Sequence, residues 1–381
     1  MDEYGRTLNA LERYRVLAAE DDGEILPDTE KPVQPDEHYD GVPRLIRLLR
    51  QLGDLPADAV PGDSDGNNAD VYEGDLVTAV ERFQSRHGLK PDGKIGKETL
   101  AQLNTPLAFR VHQLELALER WRRRPYDTSR PAIVLNVPEF KLRAFSAGGH
   151  EDLEMKIIVG QAKDRQTPML SSQLENVIFR PYWNIPLSIQ RNELIPEIVK
   201  DAKFLPDNHI EVLTPQGVVV DDTVSEDILA QLRSGKLRLR QAPGPKNALG
   251  LVKFAFPNEY EVYMHSTSAK WLFDAPRRDF SHGCVRLEKA QDLAEWVLRG
   301  ESGWPRDRVV QAMEGAEPTS IRLKHPIQVV TMYVTAVTLE NGEVDFFNDI
   351  YGEDAALERE LAAVRPQRAA TSGEPGRRPR E

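Results

Sequence analysis

The sequence predicts a multi-domain α+β protein. A mostly antiparallel β domain over residues 131–352 is broken by a helical insertion at about 188–234, and a small three-helix module at 41–104 precedes it. Three observations predict this. Up to Trp121 the apolar residues recur at helical spacing, after Arg130 the period becomes two, and between Ser188 and Ser234 the helical period returns before alternation resumes. A chain of 381 residues is long enough for two or three cores.

Within residues 1–40, Leu8, Leu11, Tyr14 and Val16-Leu17 mark a short helix, and the acidic, proline-bearing stretch from Asp21 to Asp40 reads as a surface linker. Leu45, Leu48, Leu49 and Leu52 then share one helical face, closed by Gly53 as a C-cap. The stretch Asp54 to Asp70, with Pro61-Gly62-Asp63 and Gly66-Asn67-Asn68, reads as loop. Leu76, Val80 and Phe83 give a second helix ending at His87-Gly88. The turn Pro91-Asp92-Gly93 leads into a third through Thr99, Leu100 and Leu103. Across 105–130, Leu107, Val111, Leu114, Leu118 and Trp121 form a long amphipathic connecting helix, opened by Pro106 and stopped by Pro125.

Strands follow. Ile133, Leu135 and Val137 alternate, as do Leu142 with Ala144, and Met155, Ile157 and Val159, with turn signals at Gly148-Gly149 and Gly160. Residues 177–179, 237–239, 252–255 and 262–264 extend the series. In the insertion, Leu194, Ile195, Ile198 and Val199 read as one helix and Ile228, Leu229 and Leu232 as another. An insertion of that length inside a β domain is expected to act as a lid or capping segment. Residues 287–317 read as helical, and late strands at 329–337 and 344–347 flank the hairpin signal Asn341-Gly342. In the tail 353–381 a helix-like stretch from Glu353 precedes a Pro/Gly/Arg-rich end from Pro366, and the tail is expected to be disordered, above all at that end.

Composition narrows the class. Hydrophobic residues make up 40% and charged residues 29%, as in a globular protein, and a net charge of −12 argues against nucleic acid as a partner. The basic triplet Arg122-Arg123-Arg124 reads as a solvated helix end. No run approaches the roughly 20 apolar residues of a membrane span. The opening Met1-Asp2-Glu3-Tyr4 is acidic and polar, so no export signal is visible. One cysteine in the whole chain excludes an internal disulfide and suits a thiol that must remain free.

That cysteine, Cys284, stands in Phe280-Ser281-His282-Gly283-Cys284-Val285-Arg286, shortly after His265-Ser266-Thr267. A thiol is a nucleophile only as thiolate, and a nearby imidazole can take its proton. Gly283 lets the backbone approach a reacting carbonyl, and the amides around Gly283-Cys284 are candidates for an oxyanion hole. Two residues apart in an extended chain, His282 and Cys284 share a face, as do Tyr263 and His265. Either histidine fits as base. A zinc site from His265, His282, Cys284 and His209 is possible by residue type, but the spacing matches no compact ligand pattern, so no metal or other cofactor is expected.

His265, fifteen intervening residues, then Ser281-His282-Gly283-Cys284, an apolar residue and Arg286 together resemble the signature of the YkuD-type L,D-transpeptidases, enzymes that cross-link bacterial peptidoglycan. Val80, Phe83-Gln84, His87-Gly88-Leu89, Asp92-Gly93, Ile95-Gly96 and Thr99 resemble a peptidoglycan-binding domain, mostly through packing and turn residues. Tyr182-Trp183-Asn184-Ile185-Pro186 resembles the segment that precedes a similar insertion in the larger, multi-domain members. The chain departs from the usual pattern at Ser266, where glycine or aspartate is common.

The resemblance implies a reaction. Cys284 attacks the carbonyl of the third residue of a tetrapeptide stem, the terminal D-Ala leaves, and the amine of another stem resolves the acyl-enzyme. It gives the base role to His265 and a supporting role to His282. Ser281 would bond locally, and the Ser266 carbonyl would orient His265. Arg286 would bind a stem carboxylate bidentately, while Tyr263, Trp183, Asn184 and Ser266 would line the pocket, with Trp271 as wall or lid. It also implies a periplasmic or cell-envelope location, stem peptides as donor and acceptor, other wall-synthesis enzymes as partners, and inhibition by carbapenem β-lactams. Two rivals stand beside it: the same chemistry with water as acceptor, giving a carboxypeptidase, endopeptidase or amidase, and a catalytically silent wall-binding protein.

Overall fold

A computed structural model of the chain describes residues 3–59, 70–123, 126–201, 203–220 and 224–371, with no side-chain description for 364–371. Most of the expected loop at 54–70, Arg124, the Pro125 stop and the end of the tail at 372–381 lie outside the described residues.

Alternation builds the largest element, a nine-stranded sheet. Ile133, Leu135, Met155, Ile157, Val177, Phe179, Val252, Phe254, Met264, Val285 and Leu287 all turn into one apolar core, against which Ala290, Leu293 and Ala294 of the helix Ala290–Leu298 pack. Burying a side chain of this size contributes roughly 1.5–3 kcal/mol, so the alternation alone fixes which face is inside. The strands Lys141–Phe145 and Glu151–Gly160 pair with each other as well as with their other neighbours, which closes the sheet on itself. Most pairings are antiparallel. Three are parallel, among them Met264–His265 with Val285–Leu287.

The helices Glu3–Ala19 and Leu107–Arg122 cover part of the outer face, where Ala10, Leu11 and Tyr14 meet Leu114, Val134, Phe145 and Val330. Helices Val42–Leu52, Asp75–Arg86 and Lys97–Leu103 enclose a separate core around Leu45, Leu49, Val80 and Phe83. Gly53 ends the first of them at φ 82°, a left-handed cap that suits glycine. This module is bound to the rest of the chain through polar contacts. Arg86, buried beside Asp54, donates to the Val344 carbonyl at 2.5 Å, and buried His87 stacks on Phe83 and Phe346. His87 is therefore a packed helix-end residue.

The structure differs from the sequence reading in three places. The insertion is not helical throughout: Trp183–Asn184, Arg238–Gln241, Ile210–Leu213 and Val219–Val220 form a four-stranded sheet of their own, and the strand at Arg238–Gln241 belongs there instead of in the main sheet. With Ile189, Ile195, Ile198, Leu205, Leu229 and Leu232 this makes a small α+β subdomain with its own core. Strands of two to four residues are too short to show a period. The late strands Ala336–Thr338 and Val344–Phe346 pair only with each other, as a hairpin wedged against the helical module. The third difference is in the tail, where the helix-like stretch expected from Glu353 runs over Glu353–Thr371, past Pro366, where disorder was expected to begin. Asp354 pairs with Arg120, Glu358 with His112, and Leu357 is nearly buried, contacts that composition could not reveal.

Candidate active site

Because Val252, Phe254, Met264, Val285 and Leu287 point into the core, the residues between them must point out. Strand pairing then sets the row. Lys253 lies opposite His265, and His265 lies opposite Arg286, so three cationic or basic side chains stand in register on adjacent strands. Two residues earlier on the second and third of these strands come Tyr263 and Cys284, on the same face. A one-residue slip would turn the whole set into the core, and the apolar alternation forbids it.

The turn before Cys284 is held from several sides. Gly283 adopts φ 114°, a left-handed conformation that an L side chain would strain, although a Cβ there would meet nothing closer than 3.6 Å. Ser281 is buried, and its Oγ accepts the Gly283 N–H at 3.1 Å. Thr167 Oγ1 donates to the Gly283 carbonyl and accepts from Gly160 N–H, both at 2.8 Å, and Tyr351 O–H donates to the Gly160 carbonyl at 2.5 Å. A Cβ on Gly160 would sit 1.9 Å from the Arg165 carbonyl oxygen, so only glycine fits. Of the amides around Gly283-Cys284 expected from sequence as oxyanion donors, that of Gly283 donates to Ser281 in this structure. The Cys284 amide has no hydrogen-bond partner among the described residues.

Cys284 is partly exposed at the end of this turn. Tyr263 acts on the thiol, lowering it, and Trp183 acts in turn on the Tyr263 hydroxyl, which brings the subdomain's first strand to the site. Burial pushes the thiol above its ordinary range, partly offset by Tyr263 and by the charges of Lys253 and Arg286. His265 is buried, and its Nδ1 donates to the Ser266 carbonyl at 2.5 Å, the contact that the sequence reading expected to orient it. Ser266 itself is buried, with its N–H on the Val252 carbonyl at 2.9 Å. Burial and the Arg286 charge pull the His265 imidazole down to about 3, against the opposite pull of the Ser266 and Leu249 carbonyls. The ring is neutral near pH 7, with the tautomer fixed at Nδ1–H.

Three expected site residues stand elsewhere. His282 does not face the thiol: its Nε2 lies 2.7 Å from Glu193 Oε1 of the subdomain, and the same oxygen takes Arg165 Nη1 at 3.0 Å. Asn184 is exposed on the opposite side of its two-residue strand from Trp183 and has no hydrogen bond to the site residues. Trp271 is 69% exposed in the loop between the motif halves. His209 is exposed in the subdomain, away from the thiol, and no group of three or more His, Cys, Asp or Glu is placed to hold a metal among the described residues. Sequence reasoning missed Lys253, Glu193, Thr167, Tyr351 and the steric demand at Gly160. For Lys253 a signal existed, since the alternation Val252-Lys253-Phe254 sends it to the same face as His265.

A partly exposed thiol with a tyrosine at hand, two cations whose charges reach it, a neutral imidazole on the adjacent strand and an amide without a partner among the described residues is an arrangement that can carry acyl transfer. Residues 130–310 match the family described as "L,D-transpeptidase catalytic domain", YkuD, and residues 38–103 match the family described as "Putative peptidoglycan binding domain". The chain is 35% identical over 243 residues to a Haemophilus influenzae protein named "Putative L,D-transpeptidase". That span is 64% of this chain and 48% of that protein, so the chain spans about half the length of the curated relative it matches. Among solved structures, an L,D-transpeptidase of Xylanimonas cellulosilytica (residues 123–326) is 14% identical, covering 80% of this chain and all of that one at a TM-score of 0.26. L,D-transpeptidase 3 of Mycobacterium tuberculosis, in complex with a faropenem-derived adduct, is 13% identical over 53% of this chain and 60% of that one, at a TM-score of 0.23. These superpositions are too loose to carry inference, and the assignment rests on the sequence matches.

Proposed function

We propose that the protein is a peptidoglycan L,D-transpeptidase acting in the cell envelope, with Cys284 as nucleophile and His265 as general base. The observation that carries this reading is the placement of Cys284, Tyr263, His265 and Arg286 on one outer face of the sheet, in the domain matched by the family. The thiolate attacks the carbonyl of the third stem residue, D-Ala leaves with a proton returned to its amine, and the amine of a second stem takes the acyl group. The Cys284 amide donates to the oxyanion. His282 supports the site through Glu193 instead of touching the thiol.

The resting state is a neutral pair, because burial raises the thiol while burial and Arg286 lower the imidazole. Proton transfer therefore needs a change on binding. A stem carboxylate docked on Arg286 supplies one, since it offsets the positive charge that keeps His265 from accepting the proton. The subdomain, joined through Trp183 and Glu193, acts as the lid that orients the stem and excludes water, favouring the amine acceptor over hydrolysis. The helical module at 38–103 holds the enzyme on its polymeric substrate.

Intact-mass measurement tests this. Incubation with a tetrapeptide muropeptide should yield a cross-linked product, and a carbapenem should add once to the wild type and not to Cys284→Ala. Cross-linking by the purified alanine variant would refute the mechanism, and release of D-Ala without cross-links in the presence of acceptor stems would identify water as the acceptor.

A further inference from the structure

Lys253 has no task in the reaction as written. Its strand, Val252–Ala255, sends Val252 and Phe254 into the core and Lys253 to the opposite face, where a lysine is ordinarily solvated and free. Here it is confined. It is half-buried, its Nζ stands 3.7 Å from the centroid of the Tyr263 ring, and no carboxylate pairs with it among the described residues. The strand register puts it directly opposite His265 and in one row with Arg286, while Tyr263, whose ring it covers, acts on Cys284.

An ammonium withdrawn from water and given no anion is costly unless an anion forms nearby. The groups around it are few. Tyr263 and His265 come from the neighbouring strand, and Arg286 and Cys284 from the strand beyond. Farther out, Glu193, His282 and Arg165 are already paired with one another. Glu261, two residues before Tyr263, is a further carboxylate whose charge reaches that ring, but it is exposed to solvent. Cys284 is the partly buried group that can become an anion, and its charge acts on both Lys253 and Arg286. Arg286 is aimed at a substrate carboxylate in the proposed reaction, and once occupied it no longer serves the thiolate. The Lys253 charge remains.

We propose that Lys253 is a positioning residue of the nucleophile: held on the Tyr263 ring, its ammonium faces Cys284 and stabilises the thiolate through the acylation step, when Arg286 is taken up by the substrate. The ring contact fixes the otherwise flexible stem, with the attraction of a cation for an aromatic face. The inference rests on Cys284 being the nucleophile, but its test does not depend on peptidoglycan.

The test is the pH dependence of Cys284 alkylation by iodoacetamide in the full chain, read by intact mass. Lys253→Met keeps the stem and removes the charge. Its profile should move up by about one pH unit, so that at a fixed pH below the midpoint alkylation is roughly tenfold slower. Lys253→Arg should restore the wild-type profile to within about 0.3 unit, and Lys90→Met, on the exposed helical module, should match wild type. A folded Lys253→Met that titrates like wild type would overturn the proposal, and so would an equal shift in the arginine variant. If the methionine variant does not fold, Lys253→Gln carries the same two outcomes. Failure of the transpeptidase reading would appear separately, as wild-type enzyme that alkylates normally yet forms no cross-link.

Discussion

Replacing Glu193 by alanine should loosen the subdomain from the nucleophile turn without unfolding either. Glu193 lies in the π-helical turn Gln190–Leu194, and its Oε1 holds both His282, at 2.7 Å, and Arg165, at 3.0 Å. Burial acts to raise the Glu193 carboxyl, but the hydrogen bonds and charges of His282 and Arg165 outweigh it and hold it lowered. All three side chains are about one-third exposed, so each pair is worth only about 0.2–1 kcal/mol, and the two together about 1 kcal/mol. That is roughly a fivefold change in the docked population. The subdomain has a core of its own, so global stability should change little. Hydrogen exchange should therefore speed up about three- to fivefold for amides around 190–200 and scarcely at all for the sheet. The KM for a stem tetrapeptide should rise by a similar factor while alkylation of Cys284 is unaffected. Raising salt to about 1 M should loosen the wild type toward the variant, because exposed pairs are screened. Unchanged exchange and unchanged stem use in a folded Glu193→Ala would show that Trp183 and the strand contacts alone hold the subdomain in place.

Two further outcomes follow from charges that burial controls. His265→Ala should lower turnover by ~10²–10⁴-fold, the usual worth of general-base assistance, and should cost more than His282→Ala, whose imidazole is bound to Glu193. The reverse ranking, with both variants folded by circular dichroism, would pass the base role to His282. Asp345, on the hairpin, has a buried Oδ1 without a partner, and burial, with the nearby Glu139 charge, pushes its carboxyl up to about 6. The folded state then binds more protons than the unfolded chain between about pH 4 and 6, so this group's contribution to stability falls as pH rises through that window. Asp345→Asn should stabilise the protein at pH 7 by roughly 1–3 kcal/mol and have little effect at pH 4. Denaturant midpoints that move equally at both pH values would disprove the assignment.

How much of this was legible in the sequence depends on how far apart the interacting residues lie. Alternation at Val252–Ala255 is a local property and marked that strand, while Val285–Leu287, only three residues long, was too short to be read as one. The Ser266 carbonyl lies next to His265 in the chain, and that contact too could be anticipated. The Glu193–His282 pair joins residues 89 positions apart through a π-helical turn with no sequence signature, and Tyr351 reaches Gly160 across 191 positions. Such contacts exist only once the chain has folded. The hydrogen bond from the Gly283 amide to Ser281 was not legible for a related reason: it depends on the rotamer of Ser281, which no spacing reveals.

The same comparison explains how the candidate site residues are placed accurately on the outer face of the sheet. The backbone positions of Lys253, Tyr263, His265, Cys284 and Arg286 are set before their own side-chain contacts act. Each is placed by its sequence neighbours, Val252, Phe254, Met264, Val285 and Leu287, which are at most 1% exposed and packed from several strands. A close-packed interior resists sub-ångström displacement, so the geometry of the outer row is inherited from the inner one. The exception is the approach to Cys284, where the chain leaves the sheet. There the core cannot act, and Ser281, Thr167 and Gly160 replace it with hydrogen bonds to the turn. Lys253 and Arg286 then act on a sulfur whose position is set from two independent directions, sheet register on one side and the braced turn on the other.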